Sequence, residues 1–184
     1  MAVSIPDDFS GVLREPKLLA RTLADDGTFP NNEVLPVLVY GQAVRPSVRS
    51  VAATVERVFR ANNWTGAWRN GIFSYHHYHS TAHEVLAVTA GAATVQLGGA
   101  DGWTLDVEAG DVLVLPAGVA HKNLGSDRDF QVVGAYPDGQ SWDLRRGEAG
   151  ERPEADRNIE QVPLPSRDPL YGADGPLLEH WPVD

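Results

Sequence analysis

Three histidines and a glutamate stand at fixed intervals between residues 71 and 121, punctuated by glycines and a proline. From Gly71, five residues lead to His77, one to His79, four to Glu84 and six to Gly91. From Gly110, five residues lead to Pro116, one to Gly118 and two to His121. Alternate side chains of a strand share a face, so His77 and His79 point the same way if their segment is extended. Residues 80–83 have hairpin length and can bring Glu84, at the start of the next strand, beside the pair. His121 follows the Pro116-Ala117-Gly118 turn much later and reaches the other three only if the sheet rolls into a barrel. Imidazole nitrogens with a carboxylate oxygen suit a divalent first-row transition metal: Fe, Mn, Co, Ni, Cu or Zn.

The surrounding pattern agrees with such a barrel. From Trp68 onward, short apolar runs alternate with glycine turns, and strands are predicted at 72–79, 84–89, 92–97, 103–107, 112–115, 119–123 and 130–136. Gly98-Gly99 and Asp101-Gly102 are hairpin-type breaks. A single domain over 1–184 is expected, with a barrel core at 68–137. Residues 1–46 read as an extended arm holding one strand, Val34 to Tyr40, in which Pro36 suggests an edge position. Residues 47–62 read as an amphipathic helix capped by Ser47, with Val48, Val51, Ala52, Val55, Val58 and Phe59 on one face and Arg49, Glu56, Arg57 and Arg60 on the other. Its apolar stripe is expected to lie against the outside of a sheet. Residues 138–184 read as a surface loop, with room for a short helix, and then a proline-rich extended tail anchored by Leu177, Leu178 and Trp181.

Composition narrows the function classes. The chain has 184 residues, no cysteine and a formal net charge of −10. Thiolate ligands, disulfides and cysteine nucleophiles are excluded, and an acidic surface argues against nucleic-acid or membrane partners. The first ten residues lack the pattern of a signal peptide and no apolar run suffices to span a bilayer, so a cytoplasmic location is expected.

Residues 71–91 resemble the first motif of the cupin superfamily at every defined position, and residues 110–121 resemble most of the second. Eighteen residues separate the motifs. The second motif departs from the family in one place: asparagine is expected four residues after the histidine, where Gly125 stands, and Asn123 lies nearby instead. Residues 25–32, 68–71 and 137–143 resemble a branch of single-domain bacterial cupins, the YjlB-like proteins. The resemblance implies an all-β fold, the double-stranded β-helix or jelly-roll barrel, here with one N-terminal amphipathic helix and extended terminal arms. It also implies metal ligation by His77, His79, Glu84 and His121, and a homodimer.

Other residues have weaker claims. Tyr75 shares the parity of His77, so its phenol either meets a substrate or fills the barrel. His83 either turns inward as an acid/base group or stays a solvated or interface histidine. Asn123 shares the parity of His121 and is a candidate donor to a ligand. His76 should face away, Phe73, Leu86 and Val88 read as barrel packing, Arg69 as a surface ion pair, and Pro30-Asn31-Asn32 as a turn. The expected partner is a small molecule. A dioxygenase is the leading reaction type, an isomerase or lyase working through a metal-bound enolate is the alternative, and a non-catalytic binding cupin is the third.

Overall fold

A computed structural model describes Val3, residues 5–47 and residues 49–181. Val48, placed by the sequence on the helix stripe, lies outside the described residues. Among the described residues, nine strands form two antiparallel sheets. They are β1 (Lys17–Leu23), β2 (Asn32–Gly41), β3 (Trp64–Asn70), β4 (Glu84–Ala90), β5 (Ala92–Leu97), β6 (Trp103–Glu108), β7 (Val112–Leu115), β8 (His121–Ser126) and β9 (Gln131–Pro137). The larger sheet runs β1-β2-β7-β4-β9-β3 and the smaller runs β6-β5-β8. This is the jelly-roll arrangement that the motif resemblance implies.

Two apolar cores explain why the larger sheet is buried on both faces. Between the sheets lie Leu86 and Val88 of β4, Leu113 and Leu115 of β7, Val95 and Leu97 of β5, and Val132 of β9. The intervening residues Val85, Ala87, Val112, Val114, Val133 and Ala135 point outward into a second core. Helix α1 (Val51–Ala61) covers that outer face with Val55, Val58 and Phe59, as its stripe predicts. The helix is shorter than expected. Ser50, not Ser47, occupies the cap position, in the left-handed region at φ 56° and without a side-chain cap bond.

The terminal segments are less arm-like than the sequence suggests. The N-terminal segment contributes two strands rather than one, and β2 is an interior strand between β1 and β7. Pro36 is tolerated there because residues 33–36 fall in a break of register with β1, and pairing with β7 begins only at Leu38. The C-terminal segment contributes α2 (Glu154–Gln161), α3 (Pro176–His180) and real core: Leu170, Leu177 and Trp181 are fully buried. A buried Asp168 carboxylate fastens it, accepting hydrogen bonds from the Tyr40 hydroxyl at 2.7 Å and from the backbone N–H groups of Leu170, Tyr171 and Leu177. No helix among the described residues is long and apolar enough to cross a membrane.

Candidate metal centre

His77, His79 and His121 come together between the two sheets and form a cluster able to hold a metal ion: one nitrogen from each lies within 4.8 Å of the others. All three are buried. The route differs from the predicted hairpin. Residues 72–79 are not a strand; they cross the mouth between the sheets and divide their backbone hydrogen bonds among several neighbours. His77 bridges His121, exchanging N–H···O=C bonds of 3.2 and 2.9 Å, and Tyr78 bridges Arg145. Glu84 does open β4, but β4 pairs with β7 and β9 rather than with the histidine segment.

The orientation of each ring is set by its outer nitrogen. Nδ1 of His77 bonds the Tyr75 carbonyl at 3.2 Å, Nδ1 of His121 bonds the Val119 carbonyl at 3.1 Å, and Nδ1 of His79 bonds the Asp143 carbonyl. A carbonyl only accepts, so each Nδ1 carries the proton and each Nε2 presents a lone pair. Glu84 Oε2 sits 3.4 Å from His79 Nε2 and 3.3 Å from His121 Nε2. It is buried without a hydrogen-bond partner, although Oε1 accepts one from the Tyr136 hydroxyl at 3.0 Å. A buried carboxylate oxygen left bare beside imidazole lone pairs is costly in a metal-free interior, and it fits a cation at their common focus.

The electrostatics keep His77 neutral and Glu84 ionised, and pull His79 the other way. Burial, aided by the neighbouring His121, pushes His77 down to about 3, so its ring stays neutral at ordinary pH. Burial acts against the charge on Glu84, but His79 and His121 overcome it and hold the carboxyl below its usual range. Burial also disfavours the charged form of His79, and the Glu84 carboxylate reverses that and raises it. Both shifts on the Glu84–His79 pair describe one attraction, that of a carboxylate for a positive neighbour.

A cavity of about 230 Å³ opens above these four side chains. Its walls are mainly apolar: Trp68, Ile72, Phe73, Leu86, Trp142 and Leu144, with Tyr136 at the base. Trp68 reaches it because β9 carries a glycine opposite. A Cβ on Gly134 would stand 2.3 Å from the indole, so glycine lets the ring lie across the strand, where its Nε1–H donates to the Tyr136 hydroxyl at 2.9 Å.

Three residues expected near a substrate do not line this cavity. Tyr75 stacks behind Phe73, with centroids 4.9 Å apart, under the Arg146 guanidinium at 4.1 Å; its carbonyl rather than its phenol serves the site. His83 is on the opposite face of the sheet from Glu84, as its parity requires. There its Nδ1 accepts from the Ala117 N–H at 2.9 Å and its ring lies 4.8 Å from Trp181. Asn123 spends its side-chain amide on the Gly125 N–H and the Ser126 hydroxyl, while its own N–H holds the Phe73 carbonyl.

Other expectations resolve more simply. Arg69 forms a two-pronged ion pair with Glu56. Asn31 is buried and braces the turn before His121, accepting from the Ala120 N–H and donating to the Gly98 carbonyl. Phe73, read as packing, is 47% exposed at the mouth. Tyr136, Trp142 and Asp143 were not singled out from the sequence. The alternation of β9 puts Tyr136 on the face of Val132, but nothing local marks the other two, which lie in a loop.

A cupin-domain family model matches residues 69–132. The protein YjlB of Bacillus subtilis, described as uncharacterized, is 42% identical over 157 residues, which span 85% of this chain and 92% of that protein. Among solved structures, acireductone dioxygenase from Bacillus anthracis with a cadmium ion in its active centre aligns at 16% identity and a TM-score of 0.34, over 65% of this chain and 76% of that one. A mutant of oxalate decarboxylase from Bacillus subtilis aligns at 19% identity and a TM-score of 0.34, over 64% of this chain and 29% of that one.

Proposed function

Since the chain belongs to the cupin superfamily and is a relative of YjlB, we propose that it is a metal-dependent enzyme that oxidises a small oxygenated molecule with dioxygen, a dioxygenase in reaction class. The observation that carries the reading is the set of inward lone pairs: three Nε2 atoms whose rings are locked through Nδ1, and one bare carboxylate oxygen. His77, His79, Glu84 and His121 would be the ligands. A divalent transition metal held there supplies Lewis acidity with open positions and, if it is iron or copper, a means of using dioxygen.

The rest of the site is suited to binding and shielding. Trp68, Ile72, Leu86 and Leu144 keep water from the substrate, and Tyr136 holds the Glu84 carboxylate in place. Among the described cavity-lining residues there is no second carboxylate, no lysine and no histidine outside the cluster. An isomerase or lyase needs a positioned group to move a proton at the substrate carbon. The Tyr136 hydroxyl is already engaged at both ends, by Glu84 and Trp68, so the cavity favours oxidation of a substrate that arrives as its own anion.

Oxygen uptake by Fe(II)-loaded protein, measured across diketones, catechols and thiols, tests this. The expected result is uptake tied to loss of one substrate class. Turnover that persists without oxygen under Mn(II) or Zn(II) would move the assignment to an isomerase or lyase. Ligand-induced stabilisation with no turnover under any metal would make the chain a binding protein.

A further inference from the structure

Seven large apolar side chains are exposed among the described residues, and three of them, Phe73, Trp142 and Leu144, rim the same cavity. Apolar surface gathered at one mouth marks a place that is covered in use. Trp142 is 51% exposed, yet the chain around it is firmly held. The Asp143 carboxylate accepts from the Ser80 N–H and hydroxyl, both at 2.6 Å, and from Arg145 Nε at 2.8 Å. The Asp143 N–H donates to the Thr81 hydroxyl at 3.0 Å, the Ser141 carbonyl accepts from that hydroxyl at 2.8 Å, and the Asp143 carbonyl bonds His79 Nδ1. The same segment therefore orients the His79 imidazole and presents an indole. That indole lies 5.5 Å from the His79 ring and 5.9 Å from the Tyr136 ring, nearly parallel to the latter at 22°.

We propose that the cavity binds a small planar molecule with an aromatic or conjugated apolar body, its two adjacent oxygens directed at the His77-His79-Glu84-His121 centre and its body laid against Trp142. The inference rests on the metal reading above and names its substrate class. Three neutral imidazoles, one carboxylate and a divalent ion leave a charge of about +1, which a monoanionic chelating ligand neutralises. The volume of about 230 Å³ falls below the range of drug-sized pockets and accommodates one ring with short substituents. Beyond the cluster and Tyr136, the polar lining is confined to Asn70 and to Arg69, which is already paired with Glu56. Sugars and polyols, which need many hydrogen-bond partners, are excluded on that ground.

The test uses Zn(II)-loaded full-length protein, so that binding is read without oxidation, and two monoanionic oxygen chelators: tropolone, which has a planar ring, and acetohydroxamate, which has none. Calorimetric titration should show that Trp142→Ala weakens tropolone roughly tenfold, the scale of one aromatic contact, and acetohydroxamate less than about twofold. Zinc content should stay unchanged, and Trp142→Phe should recover most of the tropolone affinity. Equal weakening of both ligands, or of neither, overturns the proposal while leaving the metal centre intact. A wild-type chain that retains no zinc sinks the metal reading and this inference together. Tropolone affinity that falls as protein concentration rises would mean that a second copy covers the mouth, and would overturn the proposal as well.

Discussion

The Tyr136 hydroxyl illustrates how much a single buried group contributes. It donates to Glu84 Oε1, accepts from Trp68 Nε1, and so leaves Oε2 as the only free oxygen of that carboxylate. Tyr136→Phe strips a partner from the buried Glu84 carboxylate and from the half-buried Trp68 indole at once. It should cost about 1–3 kcal/mol in urea denaturation and weaken metal affinity about 10–100-fold, as loss of an outer partner does. His79→Ala removes a donor outright, and elemental analysis after metal loading should show sharply reduced content; full occupancy in that variant would refute the ligand assignment. The cluster of His77, His79, Glu84 and His121 was legible in residue type and spacing. The work of Tyr75, His83 and Asn123 was not, because parity gives the face on which a side chain lies but not whether a neighbour stands between it and the cavity. Phe73 stands in front of Tyr75 in that way.

Among the elements, two strands were readable to the residue: β5, which alternates, and β7, a continuous apolar run between turns, coincide with their predicted limits of 92–97 and 112–115. Residues 72–79, predicted as a strand, form none, because their backbone hydrogen bonds are divided among β8, Arg145 and Gly118 as they cross the mouth. β4 shows what opposite faces do to neighbouring residues. Glu84 looks into the site, whereas burial against Trp181 lowers His83 to about 4. Its folded-state value lies below the ordinary 6.5, so the unfolded chain takes up the proton first. The contribution of neutral His83 is therefore whole above about pH 6.5, shrinks as pH falls, and has cost about 3 kcal/mol by pH 4. His83→Gln, which can still accept from Ala117, should flatten that part of the stability–pH curve. β3 and β9 offer a steric test. Gly134→Ala places a methyl group in the Trp68 indole and should destabilise by about 1–3 kcal/mol, with a blue- or red-shifted tryptophan emission marking the displaced ring.

Across the whole molecule, the outer face of the large sheet depends on segments far away in the chain. Trp181 is fully buried on that face and its Nε1–H donates to the Pro36 carbonyl at 2.8 Å. Trp181→Ala should cost about 3–5 kcal/mol and lower the thermal midpoint accordingly. Metal at a hundred times its dissociation constant should add about 2.7 kcal/mol, a rise of several degrees that chelator reverses.

Much of this was written locally. The limits of β5 and β7, the glycine turns, the helix stripe and the donor set follow from residue type and short-range spacing, and they sufficed for an all-β barrel with His77, His79, Glu84 and His121 at its mouth. Three things depended on contacts between distant residues. β2 became an interior strand, the tail supplied core for the outer face, and the 138–145 loop delivered Trp142 and Asp143 to the centre. Periodicity encodes which face a residue prefers. It carries no information about which distant segment covers that face, because that choice is made by the summed burial and hydrogen bonding of the closed molecule.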